Sequence, residues 1–116
     1  MQIATHLTEI YTTGSGTVWQ CNKRNRFVLN FAGTESILKV DAFLRLKRTI
    51  DSIDLEEMVV NTKRSSDLEI ISVCGCDPVF ILALPELYAF KELLDGAKFV
   101  LELNSMLHER LSAQVA

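Results

Sequence analysis

Residues 67–94 place an apolar run, a sharp break, a second apolar run and then apolar residues at helical spacing in immediate succession. Leu68, Ile70, Ile71 and Val73 predict a strand with at least one buried face, because β-branched side chains suit a pleated, half-buried surface. Gly75 and Pro78 break that run, the first by freeing the backbone and the second by removing an amide donor. Residues 79–84 form six positions without a polar side chain, which predicts a central strand. Pro85 then fits the first turn of a helix, with Glu86 near the positive end of the helix dipole.

A fainter version of this stretch lies upstream. At an offset of 53 residues Cys21 falls on Cys74, Phe27 on Phe80, Val28 on Ile81 and Leu29 on Leu82. At an offset of 50, Ile37 falls on Leu87, Val40 on Phe90, Phe43 on Leu93, Leu44 on Leu94 and Ile53 on Leu103. Apolar residues meet apolar ones after a three-residue change in loop length. The pattern reads as a duplicated strand-strand-strand-helix unit, with repeats at 1–54 and 55–116. The competing reading is chance likeness between two amphipathic segments.

In chain order, residues 3–11 predict a strand, 12–16 a turn, 17–21 a returning strand with the single tryptophan, Trp19, and 26–31 a third strand. Residues 37–40 extend the sheet briefly before Asp41, a favoured N-cap residue, opens a helix. Phe43, Leu46, Ile50 and Ile53 share one stripe of that helix. Residues 57–62 and 68–73 predict two strands around a hairpin turn at 63–67.

The last helix, expected from Pro85 to about Leu111, is the most informative element. Leu87, Phe90, Leu94, Ala97 and Leu101 form the stripe that should face the sheet. At ~100° per residue, Phe99, Leu103 and Met106 project to another side, with Tyr88 on the same outer surface. A helix apolar over so much of its circumference is normally buried on more than one side. Tyr88, Phe99, Leu103 and Met106 are therefore the candidate interface for a second copy of the chain; the alternative is that N-terminal strands wrap over them. Gly96 is a weak point of this helix, and the sequence does not decide whether the helix bends there.

Composition narrows the class. A chain of 116 residues, 48% hydrophobic and 23% charged, is expected to form one globular domain. No apolar run reaches the ~18 residues of a membrane span, and the first residues lack the pattern of a signal peptide. Three cysteines, an odd number, favour a reducing cytoplasm over a disulfide framework. The net charge of −3 conceals an asymmetry: residues 1–64 carry nine Lys and Arg against seven acids, and the remainder three against eight.

Candidate chemistry is sparse. Cys21, Cys74 and Cys76, with His6 and His108, supply soft ligands, but a single Cys-x-Cys without a second pair is a poor zinc signature. The thiols read first as small buried hydrophobes and second as a redox or nucleophilic centre at Cys74 and Cys76. No Ser-centred elbow, phosphate-binding loop or dinucleotide fingerprint is present, so no cofactor or metal is expected and an enzyme is the minority reading. Lys23, Arg24 and Arg26 at one hairpin tip, with Lys63 and Arg64 at another, are the candidate basic patch for nucleic acid. A pI near 5.3 and few interleaved aromatics favour a solvated surface there instead.

Residues 17–53, where Cys21 is followed by Asn30, Phe31, Ala32 and Gly33 and then the Phe43-centred helix, resemble an uncharacterised family of small bacterial proteins. That family shows Cys-x-x-Cys, then Phe-Gly-Asn, then an acidic and aliphatic helix. Arg24 stands where the second cysteine would be, and Phe31-Ala-Gly where Phe-Gly-Asn would be, so the resemblance implies a size class and no metal site.

These observations together predict an α+β domain: a mainly antiparallel sheet of about six strands, with two helices on one face. The expected role is a cytoplasmic binding or interaction module acting as a homodimer, with an unknown protein partner as the second option and membrane association not expected. A thiol-dependent sensor or small enzyme, and a nucleic-acid binder, are the alternatives.

Overall fold

The computed structural model describes residues 7–21, 23, 26–60 and 68–115, with α3 side chains given as far as Leu107. Among these residues six strands and three helices follow in the order β1 (Leu7–Thr13), β2 (Gly16–Cys21), β3 (Arg26–Phe31), β4 (Thr34–Lys39), α1 (Val40–Asp51), α2 (Leu55–Val60), β5 (Leu68–Ile71), β6 (Phe80–Ala83) and α3 (Leu84–Val115). The fold is α+β and antiparallel, as the apolar patterning predicts. The strands divide into a four-stranded meander, β1-β2-β3-β4, and a separate β5-β6 hairpin.

Turn chemistry sets the meander. Phe31 pairs with Thr34 across a two-residue loop in which Ala32 (φ 52°) and Gly33 (φ 84°) both adopt left-handed backbone. Such a loop matches the twist of the strands it joins. It makes β4 a full strand from Thr34, longer than the brief extension expected at 37–40. Val18, Leu29 and Ser36 lie opposite one another on the inner face, as do Gln20, Phe27 and Leu38. The outer face carries the rows Trp19, Val28, Ile37 and Cys21, Arg26, Lys39.

Three local expectations are corrected. Residues 57–60 are helical rather than extended, because Asp54 caps them: its Oδ1 accepts the Glu57 N–H at 2.9 Å and its carbonyl accepts the Met58 N–H at 3.2 Å. Leu55 and Met58, three apart, then bury one face of α2. The N-cap of α1 is Lys39, without a side-chain cap, and Asp41 lies within the first turn. Residues 79–84 are no central strand: β6 pairs only with β5 among the described residues, and Val79 and Ile81 are exposed. The turn expected at 63–67 lies outside the described residues.

The core joins both strand groups through α3. Phe90 stacks on Phe31 of the meander at 4.3 Å between ring centroids and meets Phe80 of the hairpin at 5.0 Å. Phe27 meets Phe43 of α1 at 5.0 Å. Leu87, Phe90, Leu93, Leu94 and Ala97 are fully buried, which bears out the predicted inward stripe up to Ala97 and adds Leu93 to it, while Leu101 is only half-buried. Glu86 accepts the Ala83 N–H at 3.0 Å, completing the start of α3 in the manner of a capping box.

The residue offsets place one strand on a strand and one helix on a helix. Phe27, Val28 and Leu29 of β3 fall on Phe80, Ile81 and Leu82 of β6, and Phe43 of α1 falls on Leu93 of α3. Elsewhere the elements differ, since Ile37 belongs to β4 while Leu87 belongs to α3.

Candidate functional site

A groove of about 980 Å³ lies along α3, lined by Tyr11, Tyr88, Asp95, Gly96, Phe99 and Val100, among others. Its floor depends on a bulge. Glu9 pairs with Trp19 and Tyr11 pairs with Val18, so Ile10 is an extra residue in β1. The extra residue turns Tyr11 from the outer to the inner face of the sheet. There its ring meets the backbone of Gly96, where no side chain stands in the way.

Beyond the groove, α3 leaves the body of the molecule. No side chain from Glu102 to Leu107 is buried, and the backbone stays helical to Val115. A helix of 32 residues is roughly 48 Å long, against a molecular length of 60 Å. Along its outer side Tyr88 is 46%, Phe99 66%, Leu103 43% and Met106 54% exposed. The four residues singled out for an interface therefore face solvent together, running from the groove onto the projecting half of the helix.

One wall of the groove is pinned by charge. Lys47 of α1 reaches Asp51 (2.6 Å) and Asp95 of α3 (2.8 Å), while Lys91 of α3 reaches Asp51 (2.8 Å) and Asp95 (3.6 Å). Desolvation pulls Lys47 downward, but its bonds to Asp51 and Asp95 outweigh this and raise its pKa above the ordinary value. The Asp51 bond raises Lys91. Desolvation pushes Asp51 upward, and the two lysines outweigh it, leaving the carboxyl below its ordinary value. This four-membered network closes α1 onto α3 and holds the groove wall in place.

The three thiols differ in their exposure. Cys21 is buried at the end of β2, Cys74 is exposed and Cys76 is buried. Cys74 and Gly75 occupy the middle of a turn closed by the Cys76 N–H donating to the Val73 carbonyl at 3.0 Å; Gly75 has φ 91°, as position three of a type II turn requires. Burial pushes the Cys76 thiol up, against a weaker downward pull from Ser36, and the thiol donates to the Pro78 carbonyl at 3.8 Å. Ser36 Oγ is otherwise without a partner among the described residues. No group of three metal-ligating side chains gathers among the described residues. His6 and the His108 side chain lie outside them.

Of the basic residues, Lys23 is exposed at the β2–β3 turn and Arg26 is half-buried on β3, while Arg24, Lys63 and Arg64 lie outside the described residues. Arg26 has different companions from those expected: Lys39, directly opposite on β4, and Arg45 of α1, around a concavity of about 320 Å³. Arg45 Nη2 donates to Asp41 Oδ2 at 3.2 Å and its Nε donates to the Cys74 carbonyl at 3.3 Å. Lys39 was not singled out by the sequence, since nothing local signals that strand pairing brings it opposite Arg26.

A second apolar surface escaped the sequence reading. Ile70 and Ile81 oppose each other on the outer side of the β5-β6 hairpin and are 69% and 60% exposed. No helix among the described residues is long and apolar enough to cross a membrane. No family model, curated protein or solved structure matches the chain.

Proposed function

We propose that the protein is a cytoplasmic interaction module that works as a homodimer, with α3 of each copy lying antiparallel against α3 of the other. The observation that carries this is the exposed stripe of Tyr88, Phe99, Leu103 and Met106, continuous from the groove to the projecting half of the helix. The lengths agree. Residues 85–100, which line the groove, span roughly 24 Å, and residues 101–115 span roughly 22 Å. The free half of one helix thus fits the groove of the other, with the twofold axis near Leu101 and Phe99 beside the partner's Leu103.

Magnitude favours using the whole stripe. Full burial of a large apolar side chain contributes about 1.5–3 kcal/mol, and these are already near half-buried. Association costs about 4–15 kcal/mol in lost freedom. One or two such residues per copy fall short of that, whereas four per copy contribute roughly 6–12 kcal/mol, the same order as the cost. The partial match of β3 with β6 and of α1 with α3 supports an origin of the two halves by duplication of a strand–helix unit.

The test is sedimentation velocity on the untagged full chain. A dimer at micromolar concentration is expected for the wild type, and a monomer with unchanged helical circular dichroism for Phe99→Asp and for Leu103→Lys, since an unpaired charge is costly to bury. A monomeric wild type, or two variants that remain dimeric, would overturn the assignment.

A further inference from the structure

We infer that the concavity between β3, β4 and the first turn of α1 binds the phosphoryl group of a small phosphate ester. The starting point is an electrostatic arrangement that folding alone disfavours. Arg26 and Lys39 are directly opposed in an antiparallel pair and lie on the same outer face. Like charges in that relation repel. Lys39 is also the N-cap of α1, where a cation meets the positive end of the helix dipole. Among the described residues neither Arg26 nor Lys39 has a carboxylate partner.

Arg45 adds a third cation from the second turn of α1, and all three line the same concavity of about 320 Å³. Asp41, also on its rim, is the only carboxylate among the lining residues and is engaged by Arg45. Three cations against one carboxylate leave two positive charges uncompensated. A phosphate monoester carries about −1.5 to −2 charges at neutral pH, so its charge matches the site. Arginine also offers paired donors in the fork geometry that phosphate oxygens accept.

The shape of the site suits a small ligand. One wall is bare backbone: Gly75 packs so closely on α1 that an added Cβ would lie 2.9 Å from Ala42 Cβ. Ile37, 64% exposed, forms an apolar shelf beside the cations, and Val28 and Trp19 continue that row across the sheet. The phosphoryl group thus sits on Arg26, Lys39 and Arg45 while the carbon body of the ester rests on Ile37. A volume near the lower limit for ligand sites fits a short ester and excludes a long polymer from the concavity itself.

The test is a titration of the ¹⁵N-labelled full chain with inorganic phosphate and with glycerol phosphate, at constant ionic strength against sodium chloride. Saturable shifts are expected at the amides of Ile37, Lys39, Asp41, Ala42 and Gly75, with at least tenfold weaker binding in Arg26→Gln/Lys39→Gln and near-normal binding in Lys39→Arg. Lys39→Gln alone serves if the double variant does not fold. Non-saturating shifts, the same response to chloride, or unchanged binding in the glutamine variants would overturn the proposal. Single-stranded RNA that displaces phosphate at a tenfold lower concentration would overturn it in favour of a nucleic-acid surface. None of these readouts depends on the oligomeric state.

Discussion

The ring of Tyr11 rests on the backbone of Gly96, and an added Cβ at Gly96 would overlap Tyr11 Cε2, Cζ and Cδ2. The contact joins the edge strand β1 to the middle of α3 and forms the floor of the groove. It exists because the bulge at Ile10 shifts the register by one residue, which changes the face of every residue after it. The glycine is therefore a packing device, and α3 passes through it without a break.

This reverses the usual sign of a helix substitution. In a helix open to solvent, Gly→Ala stabilises by about 1 kcal/mol. Gly96→Ala is expected to destabilise instead by about 1–3 kcal/mol, because the new methyl must displace the Tyr11 ring. Urea denaturation of Gly96→Ala, Tyr11→Ala and the double variant measures it. In the Tyr11→Ala background the alanine should become neutral or stabilising, and a destabilisation that persists there would show that the ring is not the obstacle.

Much of the meander was legible because each strand is short, alternates in polarity and ends at residues that favour turns. The inward stripe of α3 was legible for the same reason: Leu87, Phe90, Leu94 and Ala97 keep helical spacing without interruption. What was not legible depends on pairs distant in sequence. Nothing near Gly96 signals Tyr11, some 85 residues earlier. The apolar character of residues 79–84 gave no sign that Ile81 would face solvent, since an unbroken apolar run looks alike in a central strand and in a two-stranded hairpin. The pairing of Lys39 with Arg26 was likewise not legible, because cross-strand register is a property of the folded sheet.

The ion network between α1 and α3 gives the fold a defined pH window. Asp51 has a depressed pKa, so its contribution is complete above the unfolded value near 3.8 and is lost as pH falls through the folded value. Lys47 and Lys91 have raised pKa values, so theirs is complete below the unfolded value near 10.5 and is lost as pH rises through the folded one. Asp51→Asn should therefore cost most between about pH 5 and 9. The difference from wild type should shrink at pH 3 and above pH 11. Partial exposure of Asp51 and Lys91 limits the effect to about 1 kcal/mol per pair. Denaturation midpoints of both proteins across this range measure it, and a constant difference from pH 3 to pH 9 would show that Asp51 acts through something other than its charge.

The one strand expected in place of a helix yields the last prediction. The strand expected at 57–62 contains Met58, Val59 and Val60, apolar and two of them β-branched. The opposing signal was already present in Asp54 and Glu57, spaced as an N-cap residue and its third follower. The Asp54 carboxylate accepts the Glu57 N–H at 2.9 Å, which satisfies one of the free donors that open α2. Six residues are too few for a helix to persist on propensity alone, so α2 relies on this cap and on the burial of Leu55 and Met58. Asp54→Ala should cost about 0.5–2 kcal/mol, whereas Asp54→Ser or Asp54→Asn, which can still accept the same N–H, should cost a few tenths. Hydrogen exchange at the Glu57 and Met58 amides should rise in the alanine variant and stay near wild type in the other two. Equal exchange in all three would mean that burial of Leu55 and Met58, without the cap, decides between helix and strand at this point in the chain.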